Sequence, residues 1–367
     1  MAIIIEQRVR RSQAIAADGQ LVYTQRFVNW LSRGHSMKFR LLTLGAVTAA
    51  VLGLSVTSAQ AQDGDYVVPR TEYGQPDLNG VWNFSSFVPM QRPRQFADKE
   101  FLTPEDIALI ASQTEAGLQA LNNIGVGGYN TFWVENAGRG DNTRTSLITY
   151  PRNGRVPETV EGVPVQIGGL GPDEPGTRPV RMAVGGIAKD GPEDRGISER
   201  CIVGFNSGPP FTPNLYNNNV QLVLGKDTAV IMTEMIHDAR IVPLDGRDHI
   251  DDSIRQWSGD SRGYWEGDTL IVETRNFNDL TQSFSVFGSS IDKVLTEKFT
   301  RVDEFTVNYE FTVDDPSTFK DKITVVIPMA KLDGLMYEYA CHEGNYGMVN
   351  ILRGERMEEQ RASENGQ

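Results

Sequence analysis

Three histidines lie beyond residue 61, and each stands beside an acid: His237-Asp238, Asp248-His249 and His342-Glu343. Imidazole is the side chain whose ordinary titration falls near neutral pH, so such pairs mark where proton transfer can be carried out. Two of them sit in dense polar clusters. The stretch Thr228–Arg240 (TAVIMTEMIHDAR) begins as an apolar strand and ends in Glu234, His237, Asp238 and Arg240. The stretch Tyr337–Tyr346 (YEYACHEGNY) gathers Tyr339, His342, Glu343 and Asn345. Acid, imidazole and guanidinium groups this close are costly to bury unless they pair or do chemistry. If both clusters face one cavity, His237 or His342 is the base. Asp238 or Glu343 then orients it, and Arg240 with Tyr339 stabilises developing oxyanion charge. A structural role for strand-end histidines is the competing account.

Strand periodicity constrains this picture. In an unbroken strand Glu234, Asp238 and Arg240 share a face and His237 points away with Met235. For His237 to join them, a bulge or turn must fall near residue 236. Around the clusters, Tyr216, Asn218, Glu234, Arg255, Trp257, Trp265, Tyr339 and Asn345 are suited to an organic ligand, with aromatic walls and polar groups that fix orientation. The alternative for Arg255, Asp260 and Arg262 is a salt-bridge network tying a loop down. No zinc spacing, no G-x-S-x-G elbow and no Rossmann or P-loop glycine pattern occurs. The expectation is therefore a site without metal or cofactor.

Short strands must position these residues. Val220–Leu224 and Thr228–Met235 flank Gly225-Lys226-Asp227, and Ala239–Leu244 follows. Tyr264-Trp265 and Thr269–Thr274 flank Glu266-Gly267-Asp268; Lys293–Val302 and Phe305–Val313 flank Asp303-Glu304; Lys322–Met329 and Leu335–Ala340 flank Asp333-Gly334. Even spacing with tight turns is the sign of an antiparallel meander, hence a mainly β barrel or sandwich. Upstream, Gly80-Val81-Trp82 opens a short first strand and Arg144–Tyr150 is another candidate. Thr103-Pro104-Glu105-Asp106 starts a helix over 103–124, with an N-cap threonine, proline at N1 and acids in the first turn. Residues 156–198 are rich in Gly and Pro and read as a long loop, either a lid or a subunit contact of a homo-oligomer. Residues 357–367 read as a disordered tail.

Of the 367 residues, the first 61 are set aside. Met37-Lys38-Phe39-Arg40, the apolar run from Leu41 to about Leu54 and Ser58-Ala59-Gln60-Ala61 form the pattern of a secretory signal peptide over 37–61, cleaved after Ala61. Residues 1–36 then precede the true start, and 62–75 form a tether to a single domain over 76–356. The apolar run is too short for a comfortable membrane span of about 20 residues, so no stable span is expected after cleavage. Removing residues 1–61 takes away seven Lys/Arg and two Asp/Glu, which carries the net charge from −13 to −18. So acidic a chain repels phosphate backbones, and nucleic acid is an unsuitable partner. Cys201 and Cys341 both remain, and an oxidising compartment allows them one structural disulfide; a reactive or ligating thiol is the alternative.

Taken together, PDLNGVW (76–82), RTSLI (144–148), YNNN (216–219), EMIHDARIVPLDGR (234–247), RQWSGDSRGYWEGDTLIVET (255–274), EFTVDDP (310–316) and YEYACHEGNYGMVNIL (337–352) resemble a large family of exported bacterial proteins. The Gly80-x-Trp82 strand resembles the start of lipocalin-like barrels, where that tryptophan plugs the barrel base. The resemblance implies a periplasmic or secreted, antiparallel up-and-down lipocalin-like barrel with one flanking helix; it carries no reaction. Three functions follow as expectations. The first is a lyase, dehydratase or isomerase acting on an apolar aromatic or isoprenoid small molecule. The second is a carrier or sensor of such a molecule without chemistry. The third is an envelope interaction module using 156–198 as its contact surface.

Overall fold

Alternation of buried and exposed side chains builds one antiparallel sheet of ten strands. These are β1 Gly80–Asn83, β2 Ile148–Tyr150, β3 Asn219–Leu224, β4 Thr228–Thr233, β5 Ala239–Pro243, β6 Asp260–Glu266, β7 Thr269–Arg275, β8 Val294–Arg301, β9 Thr306–Asp314 and β10 Ile323–Leu332. The computed structural model describes residues 66–96, 99–122, 135, 142–163, 188–281 and 286–366. The expected signal segment, residues 123–124 of the expected helix and residues 164–187 of the expected long loop lie outside the described residues. The strand order is β5-β4-β3-β1-β10-β9-β8-β7-β6, with β2 paired to the start of β10. Two meanders, β3–β5 and β6–β10, are thus joined through β1, which lies between β3 and β10.

The long strands show why the sheet has an inside. Along β8, Leu295, Glu297, Phe299 and Arg301 are buried in turn, as are Val307, Tyr309, Phe311 and Val313 along β9. Period-2 geometry sends these rows to one face. There they meet Trp82, Phe84 and Phe211, which are fully buried. Phe84 stacks on Phe211 at 5.1 Å, and Tyr309 lies 5.0 Å from both Phe211 and Phe299. The Trp82 indole donates to Leu78 O at 2.9 Å, and the Arg301 guanidinium sits 5.8 Å from its ring.

The expected closed barrel is not formed by hydrogen bonds: β5 and β6 are the two edges of an open sheet, with no ladder between them. They approach through side chains. A Cβ on Gly263 of β6 would come within 2.6 Å of Leu244 Cδ2 and 3.0 Å of Val242 Cγ1. The physical reason is the connection. No tight turn joins β5 to β6. Instead the intervening segment is held to the end of β7 by Asn276, whose Nδ2 donates to the carbonyls of Ile250, Asp251 and Ile254.

Other expectations change at the termini. Leu335–Ala340 is not a strand. β10 runs on to Leu332, and both of its sides are already occupied, by β9 on one and by β1 and β2 on the other. Arg144 makes only an isolated bridge to Phe101, so the strand expected over 144–150 shrinks to β2. Helix α1, Pro104–Asn122, starts as expected: Thr103 Oγ1 accepts from Asp106 N, while Asp106 Oδ2 accepts from Thr103 N at 2.8 Å. The residues read as a disordered tail instead continue helix α2, Tyr346–Asn365. Their Glu and Arg content, read as solvated coil, is also good helix-forming composition. No helix among the described residues is long and apolar enough to cross a membrane.

Candidate functional site

β1, β3 and β4 terminate at one end of the sheet, and their terminal residues form a polar corner. Asn83, last in β1, is in register with Asn219, first in β3. Val220 pairs with Thr233, so Glu234 follows directly beside Asn219 and donates its N–H to Asn219 O at 3.0 Å. Side chains continue the chain of contacts. Asn219 Nδ2 donates to Glu234 Oε2 at 2.6 Å, and Asn83 Nδ2 donates to Asn219 Oδ1 at 2.8 Å and Glu135 Oε2 at 3.0 Å. The fully buried Asn218 gives Glu135 two more bonds, from its backbone N at 3.1 Å to Oε1 and from Nδ2 at 2.9 Å to Oε2. Two carboxyl groups, Glu135 and Glu234, are thereby linked through amides.

Their surroundings differ. Burial holds the Glu234 carboxyl above its ordinary value; amide bonds from Asn219 and Asn217 oppose the shift, and the Glu135 carboxylate adds to it. Glu135 instead borders a cavity of about 300 Å³. Phe87, Pro213 and Leu215 supply its apolar lining, and Ser85, Ser86, Asn214 and Glu135 its polar lining. The Glu135 backbone is tied to the same wall, its N–H donating to Leu215 O at 2.8 Å. Among the described residues no three His, Cys, Asp or Glu side chains converge as a metal site would require.

The two histidine clusters do meet, but at the surface. After Thr233 the chain turns tightly: Thr233 N donates to Asp238 O at 2.9 Å and His237 N to Glu234 O at 3.2 Å. Ile236 (φ 66°) and His237 (φ 48°) both take left-handed backbone, which for a β-branched residue such as Ile236 is strained. The turn required for His237 to rejoin its neighbours therefore exists, yet His237 is exposed, 3.4 Å from Glu338 Oε1. The second cluster lies alongside: Met235 bridges Tyr339, and Tyr339 N donates to Glu234 O at 3.2 Å. His342 and Glu343 are exposed in a short 3-10 turn. Neither His237 nor His342 borders the cavity. A disulfide joins Cys201 to Cys341, with Cα atoms 5.7 Å apart, and Cys201 packs with Met235 and Ile236 under the strained turn.

Arg240 leaves this group entirely. The turn resets the alternation, so Arg240 points inward with Val242. Its guanidinium makes two bonds to the fully buried Glu297, at 2.6 and 2.9 Å, and the Tyr309 hydroxyl donates to Glu297 Oε1 at 2.7 Å. Burial first, and then the Glu297 carboxylate, hold the Tyr309 phenol well above its ordinary value, which keeps it a donor. Asp238 stays outside, accepting from Ser258 Oγ at 3.4 Å.

The remaining expected ligand contacts scatter. Tyr216 packs edge-on to Phe205. Arg255 donates to Ile291 O, and Trp257 lies 5.8 Å from the Arg200 guanidinium. Trp265 packs against the main core. Asn345 caps α2, accepting from Met348 N, and donates to Glu199 O at 2.7 Å. Asp260 and Arg262 do form the loop tie, with His249 Nδ1 2.8 Å from Asp260 Oδ2, but Arg255 is not part of it. Asn219 belongs to the YNNN run (216–219) that the sequence marks, whereas Asn83 and Glu135 carry no such mark. Strand pairing would have joined the two asparagines once β1 was set beside β3; Glu135 stands in a stretch without periodicity and gave no signal. Comparison with family models, with curated proteins and with solved structures returns no match for this chain.

Proposed function

We propose that this protein is an exported, cofactor-independent acid–base enzyme of lyase, dehydratase or isomerase type. Its substrate is a small, largely apolar molecule with one polar head, and its base is Glu135 rather than a histidine. One observation carries this reading: Glu135 lines the cavity, and its carboxylate is fixed by three N–H donors, from Asn218 N, Asn218 Nδ2 and Asn83 Nδ2. A carboxylate so oriented can take a proton from a substrate held against Phe87, Pro213 and Leu215. Asn219 and Glu234 keep Asn83 turned toward it. The signal-like pattern over 37–61 and the Cys201–Cys341 disulfide support export.

A carrier is the second reading, favoured by the apolar residues Phe87, Pro213 and Leu215 in the cavity lining. It too would use the strand ends, because the inner face of the sheet is filled by aromatic rings. The two readings separate in deuterated water. Purified protein is incubated with small ketones and with allylic and benzylic alcohols, and mass spectrometry follows deuterium uptake and loss of water. An enzyme exchanges or dehydrates one class, and Glu135→Gln lowers that rate by about 10² or more. Full activity in Glu135→Gln removes the base assignment. Binding without exchange or dehydration in the wild type makes the protein a carrier.

A further inference from the structure

The corner that holds Glu234 has a second anchor, and it is covalent. Cys341 N donates to Tyr339 O at 2.9 Å, Tyr339 N donates to Glu234 O at 3.2 Å, and Tyr339 bridges Met235. On the other side Cys201, Met235 and Ile236 form a small buried cluster apart from the main core, with Phe205, Tyr216 and Cys341 packed against it. The turn above this cluster is strained at Ile236 and His237. Strained backbone persists only where its surroundings over-determine it. Here those surroundings are the Thr233 N–Asp238 O and His237 N–Glu234 O hydrogen bonds, the packing of Met235, Phe205 and Tyr216, and one covalent bond, Cys201–Cys341, which fastens residues 338–341 over the turn.

We infer that the Cys201–Cys341 disulfide is a redox latch on the Glu234 corner: its reduction by a dithiol frees the 338–341 segment and lets the Ile236–His237 turn relax. In this step one thiolate of the dithiol attacks the half-buried Cys341 sulfur. The S–S bond breaks and the Cys201 thiolate leaves. The dithiol's second thiolate then attacks the mixed disulfide and releases Cys341. Two electrons pass to the cysteines, two protons are taken up by the resulting thiols, and the dithiol becomes a disulfide. Relaxation withdraws Tyr339 from Glu234 O and lets water reach the Glu234 carboxyl. The bonds Asn219–Glu234, Asn83–Asn219 and Asn83–Glu135 loosen in sequence. The consequence for catalysis rests on the function proposed above; the latch itself does not.

The test is amide hydrogen exchange on the full mature chain, oxidised and then reduced with dithiothreitol. Expected on reduction is a loss of protection of about tenfold or more at Tyr339 and His237, with Leu222 and Ile231 in β3 and β4 unchanged. A second arm uses Ile236→Gly, because glycine adopts positive φ without strain. In that variant the His237 amide should exchange alike in both redox states. Equal protection in oxidised and reduced wild type overturns the latch. So does loss of protection throughout the sheet, which would make the disulfide a global staple. A redox response in Ile236→Gly as large as in the wild type removes strain as its cause. If exchange behaves as expected while Glu135→Gln leaves turnover unchanged, the latch stands and the assigned base falls.

Discussion

Arg240 and Glu297 bring opposite charges into a space otherwise filled by Phe211, Phe299 and Tyr309, and they are held there by two direct bonds. Removing one partner of a buried pair leaves the other charge without compensation. Arg240→Met should therefore cost about 3–5 kcal/mol of unfolding free energy, read as a lower urea midpoint. Glu234 gives a prediction of a different kind. Its folded-state value lies above the ordinary 4.5, so its stabilising contribution is complete below that pH and is lost as pH rises through the folded value. Urea unfolding at several pH values should show Glu234→Gln gaining on the wild type as pH rises, with no gain below about pH 4. A constant difference across that range would refute the burial effect. At this scale the sequence was informative about types and silent about partners. It marked Glu234, Arg240 and Asn218 as unusual. Glu297 lies inside the expected strand Lys293–Val302 without being distinguished there, and nothing local says that Arg240 crosses the interior to reach it.

Elements were more legible than contacts. The hairpins around Gly225-Lys226-Asp227, Glu266-Gly267-Asp268 and Asp303-Glu304 all form, because turn chemistry and alternation are both local. Leu335–Ala340 failed because both sides of β10, the strand it would have to pair with across Asp333-Gly334, are already occupied. The seam between β5 and β6 was equally hidden, being set by a long connection rather than by a turn. It makes a sharp prediction. Gly263→Val pushes a side chain into Leu244 and Val242, and overpacking of this kind costs about 1–3 kcal/mol. Its urea midpoint should fall, whereas substitution of exposed Tyr264 beside it should not lower it. Helix α2 behaves oppositely. None of its side chains is buried, and its ties to the rest of the chain include the Lys189–Glu355 ion pair and Arg356 bonds to backbone carbonyls. Deleting residues 346–367 should shift the thermal midpoint by less than about 3 °C.

Across the whole molecule the sheet has an unusual order of assembly. β1 comes first in the chain but sits between β3 and β10, and Val81 pairs with Leu332 about 250 positions later. The two meanders can each form from neighbouring strands, whereas their union depends on the earliest strand meeting the last. A chain that emerges from its amino end therefore carries open strand edges on both halves until Leu332 has appeared. For that interval Trp82 is not yet set beneath the Arg301 guanidinium that lies 5.8 Å from its ring in the finished fold. Such a chain is exposed to edge-to-edge association during synthesis.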